Sequence, residues 1–147
     1  MKDYPDEVRR AFRSYRTALE EAERKQKPTD GLLGFGRALK DDPCHEVLDR
    51  EILTIVDEAA ISELSAEIAA SIVEALLFPE SAPPWPLSAQ WMLRAEERHA
   101  LKLIPFVAEG DAADLAGRYA SKYRPWDRLP AQKAVLQELK KRGRNSG

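Results

Sequence analysis

Val8, Phe12, Tyr15, Leu19 and Ala22 recur at steps of four and three. At that spacing apolar side chains line one stripe of an α-helix, because 3.6 residues complete a turn. The same period returns in Cys44, Leu48, Ile52, Ile55 and Ala59, then in Leu64, Ile68, Ile72 and Ala75. It returns again in Leu115, Tyr119 and Tyr123. No stretch sustains the period-two alternation of a half-buried strand. These patterns predict an all-α fold of five to six helices, packed as a compact bundle or orthogonal array, with no sheet. Stripes of this kind are buried only against one another, so 1–147 reads as a single helical domain, frayed at 1–4 and 144–147.

The breaks between helices follow from residue chemistry. Lys27 to Gly31, with Pro28 inside, stops the first helix. Asp42 is the expected N-cap of the second, with Pro43 at the first helical position, where its missing N–H costs nothing. A third helix follows Ser62 and turns Glu63, Glu67 and Glu74 outward; no strong breaker separates it from the second. Pro79, Pro83, Pro84 and Pro86 form an extended connector that no helix crosses. Beyond it, 87 to about 104 reads as one long helix carrying Trp91, Met92, Ala95, His99 and Leu103, ended or kinked at Pro105. Asp111 is the expected N-cap of the next helix. Asp127 or a neighbour opens the last, which buries Val135, Leu136 and Leu139 and ends in a basic turn from Lys140 to Gly143.

The net charge of -2 sets up no strong field for nucleic acid or anionic lipid. Charge is nonetheless uneven: residues 31–80 hold 3 Lys/Arg against 11 Asp/Glu, and residues 81–147 hold 12 against 7. Mutual attraction across the fold is the simplest consequence. The one cysteine, Cys44, can form no internal disulfide. With the charged start of the chain, it leads to an expectation of a reducing, cytoplasmic setting, and compactness with a lack of tails to that of a bacterial protein. The most apolar region, 52–78, is interrupted by Asp57, Glu58, Glu63, Glu67 and Glu74, so no membrane span is expected.

Both histidines follow a carboxylate by three residues, Asp42 before His45 and Glu96 before His99. Positions three apart share a helix face, so each pair could offer an oxygen and a nitrogen to one metal ion. A di-metal bundle site would use both pairs. A mononuclear site would combine Cys44, His45, His99 and Glu96, although adjacent Cys44 and His45 point about 100° apart on a helix. Structural roles weigh more at this stage: Cys44 continues the stripe of Leu48 and Ile52, and His99 shares a face with Met92 and Leu103. Cys44 in a first helical turn also invites a nucleophilic reading, which the neighbouring Asp42 opposes. The glycines at 31, 34 and 36 make no phosphate loop, since no strand precedes them and no Gly-Lys-Ser/Thr follows.

By elimination the expected function is a non-enzymatic protein-interaction module of the adaptor, accessory or toxin-neutralising kind. Leu33 and Phe35 in the apolar 31–36 loop, with Trp85, Trp126, Arg124 and Arg128, form its candidate surface. The alternative is a metal-binding protein or metal-dependent enzyme built on His45, His99 and Glu96. A second alternative is nucleic-acid binding through the basic C-terminal part, where Arg118, Lys122, Arg124 and Arg128 interleave with Tyr119, Tyr123 and Trp126. No cofactor is expected unless that divalent metal binds. The expected partner is another protein; nucleic acid is disfavoured, no membrane is expected, and a homo-oligomer is left open.

Overall fold

The structure, a computed structural model, describes residues 2–25, 43–79 and 96–144. The fold is all-α, and no strand occurs among the described residues. Among the described residues the α-helices are, in order, α1 (Tyr4–Lys25), α2 (Pro43–Ile61), α3 (Ala66–Leu77), α4 (Glu109–Ala120) and α5 (Pro130–Arg144). The 3-10 helices Glu97–Lys102, Ile104–Phe106 and Pro125–Asp127 lie between them.

The expected stripes carry much of the core, while Ile55, Leu64 and Ile68 are only partly buried. Val8, Phe12 and Tyr15 of α1 are buried, joined by Ala11. Leu48, Ile52, Val56 and Ala59 are buried on α2, and Ala69, Ile72, Val73, Ala75, Leu76 and Leu77 on α3. On α3, Glu67 and Glu74 face solvent, as does Glu63 just before it. The α1 helix packs on α2 and α3, and α4 packs on α5. Between these pairs lies the 3-10 helix Glu97–Lys102, which touches α2, α3 and α5. This central position explains why Glu96, Glu97, His99 and Ala100 are buried in so short an element.

Local chemistry sets the helix ends. Asp3 caps α1, its Oδ1 accepting from the Asp6 amide at 3.1 Å, and Lys2 pairs with Glu58 of α2 at 2.7 Å. The α2 helix begins at Pro43 as expected. It ends at Ile61, where the Ser62 hydroxyl donates to the Ala59 carbonyl at 2.8 Å. The cap of α3 is Ser65, accepting from the Ile68 amide at 3.2 Å, so residues 62–65 separate two distinct helices.

Three expectations are corrected. Of the long helix expected over 87–104, the described part is α-helical only at Glu96; Glu97–Lys102 and Ile104–Phe106 are 3-10 helices joined at Leu103. A continuing α-helix would drive the Pro105 ring into the Leu101 carbonyl, whereas Pro105 near the start of a new short turn has no such clash. Residues 87–95, with Trp91, Met92 and Ala95, lie outside the described residues. The cap of α4 is the extended Ala108, and Asp111 instead joins Glu109 in the first turn, where acidic charge suits the helix dipole. Asp127 closes a 3-10 turn and does not open α5. That helix starts at Pro130, and the buried Gln132 reaches back to accept from the Leu129 amide at 2.8 Å, in the manner of a capping box.

Candidate metal centre

The polar residues of the central 3-10 helix are placed by its tight winding. Three residues complete its turn, so side chains at i and i+3 eclipse. Glu96, at its N-cap, and His99 therefore lie one above the other, with exposures of 0% and 5%. Facing them is the first half of α2. There His45 sits in the opening turn and Asp49 one turn later, and four residues apart they share a helix face.

Packing of these two elements gathers the four side chains. His45 Nε2 lies 2.5 Å from Glu96 Oε1, and His99 Nε2 lies 2.8 Å from Asp49 Oδ1. Glu96 Oε2 is 3.9 Å from His99 Nε2. One oxygen each from Asp49 and Glu96 and one nitrogen from His99 lie within 4.8 Å of one another. Arg98 borders the cluster and donates to Asp49 Oδ1 at 2.9 Å. The His45 ring also meets the Tyr15 ring edge to face, with centroids 6.3 Å apart, which ties the cluster to α1.

Glu96 is the unusual member. As a carboxylate it is buried completely, yet neither oxygen accepts a well-directed hydrogen bond. An ionised group in that position is costly. Burial accordingly pushes its pKa up to about 7, and the nearby Asp49 adds to the rise while His45 opposes it. Once protonated, Glu96 can donate to Asp49. That hydrogen bond, followed by those from His99 and the Arg98 charge, holds Asp49 well below the usual carboxylate range. The pair therefore divides its protons unequally, with Asp49 ionised and Glu96 neutral near pH 6.

Two carboxylates and the His99 imidazole nitrogen lying within 4.8 Å of one another form a donor set for a divalent metal ion, with His45 beside Glu96. A bound cation would add positive charge beside an ionised Glu96, which otherwise has only His45 at 2.5 Å to offset it. Of the ligand candidates read from the sequence, His45, Glu96 and His99 come together. Asp42 and the Cys44 side chain lie outside the described residues. Asp49 joins them, a residue that the sequence pattern did not single out. Its signal was the four-residue step from His45, a spacing that places both on one side of α2.

Glu97, next in the chain, has a wholly different environment. It accepts from the Tyr119 hydroxyl, from Lys122 Nζ at 2.8 Å and from the Tyr123 hydroxyl at 2.7 Å. Lys122 Nζ also donates to the Leu77 carbonyl at the end of α3. This satisfied cluster clamps α3 and α4 to the central 3-10 helix.

Leu33, Phe35 and Trp85 of the expected interaction surface lie outside the described residues. Trp126 is 75% exposed, and the Arg124 guanidinium lies 5.6 Å from its ring centroid. Arg128 donates to the Ala120 carbonyl at 2.9 Å, and Arg118 pairs with Glu74 at 3.4 Å and Asp114 at 3.8 Å. Much of the basic charge near the C-terminus is thus engaged within the fold. No helix among the described residues is long and apolar enough to cross a membrane. No protein family, curated protein or solved structure matches the chain.

Proposed function

We propose that this protein binds one divalent transition-metal ion through Asp49, Glu96 and His99, with His45 beside Glu96 as a fourth donor. The supporting observation is Glu96: a carboxylate with 0% exposure and no well-directed hydrogen bond, facing two further ligand-type atoms. An ionised carboxylate at such depth is costly, and here only His45, 2.5 Å from Oε1, stands beside it to offset the charge. A dication among the donors removes that cost. Imidazole with carboxylate suits Mn2+, Fe2+ or Zn2+ better than the thiolate-seeking ions. Three protein donors would leave coordination positions for water or substrate, the arrangement of a catalytic rather than a closed structural site. His45 would fill one such position or yield it.

Elemental analysis of protein stripped with chelator and reloaded tests this reading. Near one ion per chain is expected, with loss of the ion in Asp49→Ala and His99→Ala. Protein that takes up no ion, or variants that bind as well as the parent, would overturn it.

A protein-interaction role remains a second reading, favoured by Trp126. A large aromatic side chain at 75% exposure, on a turn stiffened by Pro125, loses little freedom on binding. A labelled probe beside Trp126 should report a specific partner, and binding unchanged in Trp126→Ala would remove this reading.

A further inference from the structure

We infer that the metal centre takes a small oxyanion, a carboxylate or phosphate group, as its exchangeable ligand, with Arg98 as the residue that receives it. This rests on the metal reading above. Glu96 and His99 are buried, whereas the Asp49 and His45 side chains are 30% and 21% exposed and that of Arg98 is 44% exposed. The solvent-facing edge of the cluster is thus formed by Asp49, His45 and Arg98, and a ligand enters from that side. Charge sets its sign. Asp49 and Glu96 together neutralise a dication, so the Arg98 guanidinium held 2.9 Å from Asp49 adds a positive charge at the same edge. In the metal-free protein that charge serves the Asp49 carboxylate. In the loaded protein the ion draws on the same carboxylate and weakens its hold on Arg98.

Arg98 makes further contacts, and a guanidinium carries five N–H donors in a planar fork, enough for more than one acceptor. That fork matches carboxylate and phosphate oxygens, and an ion held by Asp49, which Arg98 touches, would offer the second point of attachment. A cationic ligand would be repelled by Arg98, and a neutral one would gain only an uncharged acceptor's weaker hydrogen bond. An oxyanion bridging ion and guanidinium gains from both, and His45 is the donor it would displace.

The test uses full-length protein loaded with Mn2+ and titrated by calorimetry with inorganic phosphate in one arm and acetate in another. Binding of at least one of the two is expected, absent without Mn2+ and weakened at least about tenfold in Arg98→Ala. That variant should still take up one Mn2+ at saturation, and Arg98→Lys should recover only part of the affinity, because an ammonium cannot fork. The stronger arm identifies the oxyanion class. Loaded protein that binds neither probe, or Arg98→Ala that binds like the parent, would overturn the inference while leaving the metal centre intact. Failure to load any of Mn2+, Fe2+ and Zn2+ would overturn both.

Discussion

Glu96 and Glu97 are neighbours in the chain and both buried, yet Glu97 accepts from three donors while Glu96 accepts no well-directed hydrogen bond. One short 3-10 helix thus carries a carboxylate that holds the fold together and a carboxylate that burdens it. Binding sites commonly sacrifice stability in this way, because groups arranged for a ligand are poorly arranged without one.

The contrast predicts opposite outcomes for two substitutions. Glu97→Ala strands the Lys122 ammonium and the Tyr119 and Tyr123 hydroxyls, and should destabilise the protein by about 3–5 kcal/mol. Glu96→Gln relieves a buried acid, and should change metal-free stability by less than about 1 kcal/mol or raise it. Urea denaturation of both variants without metal checks this. Equal losses at the two positions would show that Glu96 is as well satisfied as its neighbour.

The pH dependence of the metal-free protein follows from the same pair. Glu96 binds its proton more tightly when folded, its pKa rising from 4.5 to about 7. Its stabilising contribution is therefore complete below pH 4.5 and is lost as pH rises towards 7. At 1.36 kcal/mol per pKa unit the loss is on the order of 3 kcal/mol. Asp49 acts in the opposite sense, since its folded pKa lies below the ordinary carboxylate value, and stability is lost as pH falls through the acid range. These two groups place the stability maximum near pH 4–5, with a decline to pH 7. A saturating divalent ion replaces the Glu96 proton and should flatten or reverse that decline. Melting curves from pH 4 to 8, with and without Zn2+, provide the check.

Replacement of the ligands should separate affinity from folding. Asp49→Asn keeps the shape of the side chain and removes its charge. It should weaken metal binding by more than the roughly 10–100-fold that accompanies loss of an outer-shell partner. Competition with a chromogenic chelator measures the difference. An Asp49→Asn protein that holds metal like the parent would remove Asp49 from the ligand set.

Two glycines in the α4–α5 pair should respond differently to alanine. A Cβ at Gly117 meets nothing within 4 Å, so Gly117→Ala should stabilise α4 by about 0.5–1 kcal/mol through helix propensity. At Gly143 the added carbon would come within 3.0 Å of Ala113 on α4, forcing the helices apart. Gly143→Ala should give no gain and cost about 1–3 kcal/mol. Thermal melts of the two variants decide it.

Sequence periodicity made the helices legible but not their mutual placement. Val8, Phe12 and Tyr15 announce a buried stripe because burial of that stripe is what their spacing serves. The 3-10 winding of Glu97–Lys102 was hidden, since His99 and Leu103 at a step of four suit an α-helix equally well. Pro105 was the residue that told against it. Asp49 escaped notice because its partners, Glu96 and His99, lie far along the chain and reach it only through packing of the central 3-10 helix on α2. A histidine and an acid four apart on one helix are commonplace on a solvated surface. Only tertiary contact distinguishes a ligand pair from an ordinary one.

The most direct measurement is anomalous diffraction from crystals of the protein grown with Mn2+ or Zn2+. A single strong peak is predicted at the α2–3-10 junction, about 2.0–2.2 Å from an oxygen of Asp49, an oxygen of Glu96 and Nε2 of His99. A map with no peak there, and with Glu96 instead hydrogen-bonded in the presence of excess metal, would contradict it.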